Sequence, residues 1–255
     1  MAVPNDAKCF PAGVGLNTGI ASGLVMPSSD LVLLLTNARQ DYDWPFGTGK
    51  VKSQRRVIEL EKKVVHLLKS LNEASAHKII CKISWWAGNN LRAKIRIRNA
   101  SALEKKAMLR AIQICLTVGR EQEGIDALSK LPGLRLVIAT KIFRFLRPLE
   151  GAAVDRHASY FFNSLSVSGV GTAFIREWSG KARTSSRLAA YTAANHRRNL
   201  SEYIDVYLPM LERMANVLNI MKHAFECPVT GFKTDWTPAD VEMAAYYWWA
   251  RNGAR

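Results

Sequence analysis

From Val57 to Leu71 the apolar side chains return at helical spacing: Val57, Ile58, Leu60, Val64, Val65, Leu67, Leu68 and Leu71. Arg55, Arg56, Lys62, Lys63 and Lys69 take the opposite face. A three-to-four period marks an amphipathic helix; a strand repeats every second residue. The same period gives a long helix over residues 199–223, through Tyr203, Ile204, Tyr207, Leu208, Leu211, Met214, Val217 and Leu218. A chain built from such pieces must bury its apolar stripes by stacking helix on helix. Boundary signals agree. Ser101 and Glu104 form a capping-box pattern, opening a helix through about Val118 that Gly119 can stop. Thr237-Pro238-Ala239-Asp240 supplies a threonine cap, a proline at the first helical position and an acid in the first turn, so Asp240 is read as a helix-start residue of a helix through Trp249. Ser28 or Ser29 caps a helix through residue 40, and further helices are expected over 123–131, 136–146 and 155–165.

Nearly half of the 255 residues are hydrophobic (48%), which is enough to bury a sizeable core. The expected class is mostly α with little strand. Residues 1–27, rich in glycine, proline and small side chains, read as an N-terminal arm; 28–255 read as a single compact helical domain whose basic part spans 50–118. Residues 41–49 read as a loop, and 166–186 as a small, polar stretch with Gly169, Gly171 and Gly180. Residues 78–98 leave alternatives open. KIICKISWWAGNN fits a short strand or a helical turn, ended by Gly88-Asn89-Asn90. LRAKIRIRN alternates apolar and basic, which suggests a strand; a helix start or an extended basic loop fits nearly as well.

The net charge is +15, and it is concentrated: residues 50–110 hold sixteen lysines and arginines against four glutamates. Periodic apolar residues between the charges imply a folded surface with one positive face. Such a face suits a polyanion, and nucleic acid is the commonest. Cys9, Cys81, Cys115 and Cys227 show no CxxC or Cys/His metal spacing, so neither a disulfide framework nor a zinc site is expected, and no cofactor is called for. The N-terminus lacks a basic n-region followed by an apolar h-region, and no apolar run has the length of a membrane span. A cytoplasmic, nucleoid-associated protein with no membrane partner is the expectation.

Chemistry enters at residues 121–147. A short helix, the turn Leu131-Pro132-Gly133 and a second helix have the form of a helix-hairpin-helix, whose turn can offer backbone N–H groups to a DNA phosphate. A plain αα-hairpin fits the same spacing. Lys141 stands in the apolar run LRLVIATKIFRFL, three residues before Arg144. It is either part of a solvated basic stripe or a nucleophilic amine, which can attack a sugar C1′ and form a Schiff base once its proton is gone. Asp155, in GAAVDRH, is a natural helix cap. A carboxylate at that point can also stabilise the positive charge that grows as a glycosidic bond breaks.

LPG…ATKIFRFL…AAVDRH resembles the helix-hairpin-helix and Gly/Pro-Asp motif of the DNA glycosylase superfamily, and is most similar to bacterial proteins of the 8-oxoguanine DNA glycosylase fold, some of them linked to phage defence. ADVEMAAYYWWAR is similar to the closing helix of that group. The resemblance covers about residues 120 to 250 and implies a compact multi-helix glycosylase fold. It implies Lys141 as the catalytic lysine and Asp155 as the catalytic aspartate, through the matching pairs Thr140-Lys141 and Val154-Asp155. Two departures stand out. The turn reads LPGLRL where the family has a second glycine, and Lys141 and Asp155 lie closer in sequence than in the best-known members.

The expected activity is base flipping and excision from double-stranded DNA by a monomer, with Schiff-base lyase chemistry available. The base is 8-oxoguanine or a hypermodified one of phage DNA, such as glucosylated hydroxymethylcytosine. A non-enzymatic DNA-binding protein is the competing class. Expected DNA contacts are Gly133, Arg135, Thr140, Arg144, Arg156 and His157 around the hairpin, with Arg92, Lys94, Arg96 and Arg98 from the basic block. Trp44, Phe46, Trp85 and Trp86 are candidate stacking surfaces. Trp248 and Trp249 point roughly 100° apart on a helix, so at least one is expected to pack.

Overall fold

The computed structural model describes residues 29–45, 47–164 and 193–253, with two short strands at 16–17 and 26–27. The rest of the N-terminal arm, Ser28, Phe46 and the small, polar stretch 166–186 lie outside the described residues.

The architecture is mostly α. Helix α1 spans Ser29–Gln40, α2 Lys50–Leu68, α3 Glu73–Trp86, α4 Leu91–Arg98 and α5 Ala102–Leu116. They are followed by α6 at Glu121–Lys130, α7 at Leu136–Leu146, α8 at Arg156–Ser164, α9 at Ala193–Glu202, α10 at Leu208–Ile220 and α11 at Pro238–Asn252. Strand is confined, among the described residues, to two antiparallel pairs: β1 (Leu16–Asn17) with β2 (Met26–Pro27), and β3 (Phe225–Glu226) with β4 (Lys233–Thr234).

Caps set several of these boundaries. Ser101 accepts from the Glu104 N–H while the Glu104 carboxylate reaches back to the Ser101 N–H at 2.7 Å, the reciprocal box read from the sequence. Thr237 and Asp240 do the same at the start of α11. Asn72 caps α3 in the same way, paired with Ser75.

Three expectations are corrected. KIICKISWWAGNN is not a strand: the helical alternative holds, since KIICKISWW is the second part of α3, which Asn72 starts seven residues before Ile79 and which ends at Trp86. LRAKIRIRN is a helix as well. The Asn90 side chain accepts from the Ala93 N–H and opens α4, where only Ile97 is fully buried. With Leu91 and Ile95 left exposed, the apolar–basic alternation does not sort the side chains between a core and a solvent face. The single long helix over 199–223 is three pieces. Pro209 has no N–H to continue the ladder, and the chain before it widens into a π-helical turn, Tyr203–Tyr207, between α9 and α10.

Helix α7 packs against α2, α3, α5 and α6, and α11 packs against α1, α8 and α10. One hydrophobic core runs through both sets, from Leu31 to Ala245. Every side chain of α7 from Ile138 to Leu146 is buried. A helix apolar on all sides belongs inside a protein, and burying each of Ile142, Phe143 and Phe145 contributes about 1.5–3 kcal/mol. That position carries Lys141 and Arg144 inside with it. Trp248 and Trp249 are both partly buried, Trp248 against Phe161 and Trp249 beside Tyr160.

Candidate active site

The chain leaves α7 at Leu146, turns through 147–151 and comes back along the same helix. Gly151 allows the return: a Cβ there would stand 2.8 Å from the Arg144 Cα and 3.0 Å from the Arg147 carbonyl. The Val154 N–H then donates to the Thr140 hydroxyl at 3.2 Å, while that hydroxyl donates to the Val137 carbonyl at 3.1 Å. Thr140 precedes Lys141 and Val154 precedes Asp155, so one hydrogen bond ties the two functional positions together. The short separation in sequence is thus the length of a tight return. From the other side, the Tyr203 and Tyr207 hydroxyls donate to the Ala152 and Ala153 carbonyls at 2.5 and 3.2 Å. The π-helical turn places both tyrosines there, and burial pushes both phenols well up from their ordinary value, so both stay donors.

Asp155 opens α8. Its Oδ1 accepts from the His157 N–H at 2.9 Å and the Ala158 N–H at 3.1 Å, and its carbonyl accepts from the Ser159 hydroxyl at 2.5 Å. The cap occupies one carboxylate oxygen; Oδ2 makes no hydrogen bond among the described residues. Lys141 is only 8% exposed and makes no hydrogen bond or ion pair among the described residues. Its Nζ lies 5.8 Å from the centre of the Trp44 ring. The solvated basic stripe is therefore excluded for this helix face. A buried lysine without an ion pair contributes little to stability, which marks this position as a candidate for chemistry.

Arg144 and Thr140 were expected on DNA, and both are turned inward. Arg144 is 3% exposed, pairs with Glu61 of α2 at 2.9 Å and stacks on the Phe145 ring. Thr140 is fully buried in the tie just described. They hold the protein rather than a phosphate. Arg96 is exposed and bound to Glu104. Arg92 and Arg98 are exposed on α4, and Arg135 is exposed at the start of α7. His157 is half-buried with its ring edge-to-face with Tyr246 at 5.2 Å. Arg156 starts α8; its side chain, like Phe46, lies outside the described residues.

At the hairpin, Gly133 has φ +81 and abuts α4, where a Cβ would meet the Ala93 carbonyl at 3.0 Å. The Asn89 amide donates to its carbonyl at 3.1 Å. The hairpin turn and the basic helix are thus one packed unit. Arg135, at the place of the family's second glycine, is extended (φ −139, ψ 171), a conformation any residue adopts, and makes no side-chain cap. Gly133→Ala is expected to destabilise by about 1–2 kcal/mol through the left-handed backbone alone. Thermal denaturation checks this, and an unchanged melting temperature would contradict it.

Three of the four candidate stacking residues come together. Trp44, Trp85 and Trp86 line a groove of about 730 Å³ with Arg56, Lys63, Lys82 and Lys94, against one acid, Glu59. Trp85 is 52% exposed and carries the Lys94 ammonium over its ring at 4.7 Å. Trp86 packs edge-to-face on Phe145, and the Trp44 indole N–H donates to the Trp86 carbonyl at 3.2 Å. Trp44 therefore stands between the groove and Lys141.

Glu242 was not foreseen. It lies on α11, 5% exposed, and the charges of Asp155, Lys141, Arg144 and Arg39 all act on it. Burial, and after it the Asp155 carboxylate, push its carboxyl up to about 8. Its signal in ADVEMAAYYWW is a charge facing a long apolar run, two residues after the capping Asp240. Comparison with family models, with curated proteins and with solved structures finds no match.

Proposed function

We propose that the chain is a DNA glycosylase that flips a damaged or modified base out of the duplex and cleaves its N-glycosidic bond. The observation that supports it best is a buried lysine, Lys141, without an ion pair among the described residues, on a stretch of α7 that the Thr140–Val154 hydrogen bond ties to the segment carrying Asp155. Glycosidic cleavage leaves an electron-poor C1′, and the site offers a nucleophile and a carboxylate for it. Unpairing the nucleotide costs a few kcal/mol, least at a lesion or a poorly stacked base. The basic groove with its exposed Trp85 suits the DNA strand beside the flipped nucleotide, through phosphate contacts and base stacking. The uncharged amine of Lys141 attacks C1′ as the base leaves with the bonding electrons, and Asp155 stabilises the oxocarbenium-like sugar. The proton given up by the nitrogen goes to the departing base, and cleavage of the C1′–O4′ bond opens the sugar and leaves a C1′=N double bond. The resulting Schiff base permits strand scission. The hairpin turn and α4 hold the duplex as a helix-hairpin-helix of the glycosylase superfamily would. No helix among the described residues is long and apolar enough to cross a membrane.

The test is incubation with duplexes carrying 8-oxoguanine, and with phage DNA carrying glucosylated hydroxymethylcytosine, followed by analysis of the released base and borohydride trapping. Release with a trapped adduct supports the reading and names the base. Release with intact abasic strands and no adduct assigns the attack to water. Salt-dependent binding with no release from any DNA supports the non-enzymatic DNA-binding class instead. Asp155→Asn keeps a capping oxygen and loses the charge, so its single-turnover release should fall by about 10²–10³-fold with little change in melting temperature.

A further inference from the structure

We propose that the tryptophan groove between α2, α3 and α4 holds a short unpaired stretch of a DNA strand, so that the preferred substrate is a target base in single-stranded or bubbled DNA rather than in an intact duplex. The proposal rests on the glycosylase reading and names the class of DNA on which it acts.

The groove combines aromatic faces with cations. At about 730 Å³ it has the size of a ligand pocket, which ranges over about 300–1,000 Å³. That space admits single bases and their sugars. A duplex is far wider, its major groove alone being about 12 Å across. Trp85 supplies the reason for an unpaired strand. It is exposed, and its ring's only partner among the described residues is the Lys94 ammonium at 4.7 Å. A base offers its face for stacking only where the strand is unpaired; in a duplex its neighbours cover it.

The cations continue past the groove. Arg56 and Glu59 also line a second recess, of about 670 Å³, at the start of α2, together with Lys52 and Arg55. Lys52, Arg56, Glu59 and Lys63 follow one another at steps of three and four residues, so they share one face of α2. Lys52 and Lys63 stand about 16 Å apart along the axis, the reach of a few nucleotides rather than one. Lys82 and Lys94 carry the charge onto α3 and α4. None of these lysines and arginines makes an ion pair among the described residues. Such a row repels itself, and a phosphate backbone laid along it relieves the repulsion and releases counterions. Trp44 joins this track to the chemistry. Its ring lies 5.8 Å from the Lys141 amine, and its indole N–H donates to the Trp86 carbonyl at 3.2 Å. A strand lying in the groove therefore leaves it next to Lys141. Flipping is least costly for a base that is already single-stranded.

The test is binding of unmodified DNA, read by anisotropy over a range of salt, with an oligothymidylate and a duplex of equal length. The single strand should bind roughly fivefold or more tightly. Trp85→Ala should weaken oligothymidylate binding roughly 5- to 150-fold, leaving duplex binding and the salt dependence unchanged. Arg56→Ala should instead lower the slope of log affinity against log salt by about 0.7, the effect of one lost phosphate contact on a single strand. Both side chains are exposed, so neither change threatens the fold. Cys81 lines the same groove and reports its occupancy: the oligothymidylate should slow its alkylation by N-ethylmaleimide, and the duplex should not. Equal affinity for the two DNAs, a Trp85→Ala variant that weakens both alike, or alkylation that the oligothymidylate leaves unchanged overturns the proposal. Tighter binding of an oligouridylate overturns the assignment to DNA. No base need be released in these measurements, so the two readings fail separately. Single-strand binding with no release from any DNA sinks the glycosylase reading and leaves the groove assigned. Release at one rate from duplex and bubble, with no preference for the single strand, sinks this proposal alone.

Discussion

Lys141→Met is expected to abolish borohydride trapping, to slow base release by on the order of 10³-fold or more, and to raise the melting temperature. The kinetic part follows from position. Lys141 lies on α7 next to Thr140, whose hydrogen bond to Val154 ties this helix to the segment that carries Asp155, the carboxylate that would stabilise the sugar cation. Arg144, one turn further on, is bound to Glu61 and cannot form a Schiff base. The stability part follows from burial. The Lys141 ammonium has no ion pair among the described residues and only an aromatic face at 5.8 Å. Replacing a buried charge by an apolar side chain of similar volume is often neutral or stabilising, by about 1–4 kcal/mol. Methionine also suits the flexible stem that the lysine leaves. A site that sacrifices stability for reactivity should show both changes together. Lost release with a lowered melting temperature would make Lys141 a structural residue, and retained release and trapping would remove it from the chemistry.

Lys141 and Asp155 stood out as candidates because each is a charge set against an apolar run, and the helix-start role of Asp155 was legible because an Asp cap is a local signal. The α5 and α11 starts were legible for the same kind of reason: a capping box is contained in four consecutive residues. What escaped was decided at long range. The strand suggested for LRAKIRIRN had period two in its favour, but among the described residues no partner strand lies beside it. The Gly133 turn of the hairpin packs against it instead, with Ile97 anchored in the core. Arg144 looked like a surface cation beside Lys141; only the fold shows that α7 is buried on all sides and that Glu61 of α2 waits for it. Thr140 appeared as a DNA contact, whereas its hydroxyl is the tie that makes a short Lys–Asp separation workable. Glu242 acts on Lys141 and Asp155 from α11, roughly a hundred residues further along the chain.

Arg39→Met is expected to destabilise the protein by about 3–5 kcal/mol, the range for breaking one side of a buried ion pair. Arg39 is 2% exposed, and its Nε donates to Asp240 Oδ1 at 2.8 Å, joining α1 to α11. The other Asp240 oxygen accepts from the Thr237 N–H and hydroxyl at 3.0 and 2.6 Å. Asp240 was read as a helix-start residue, and it is that; it is also the anion that Arg39 neutralises. Removing the guanidinium leaves the Asp240 carboxylate, its side chain only 10% exposed, without its ion-pair partner. At this chain length a loss of that size lowers the melting temperature by roughly 10 °C. Asp240→Asn in the same chain should recover part of the loss, because the amide oxygen can still cap and no unpaired charge remains. The double-mutant cycle would then show a coupling of more than about 1 kcal/mol, whereas independent, additive effects would mean that the pair contributes nothing.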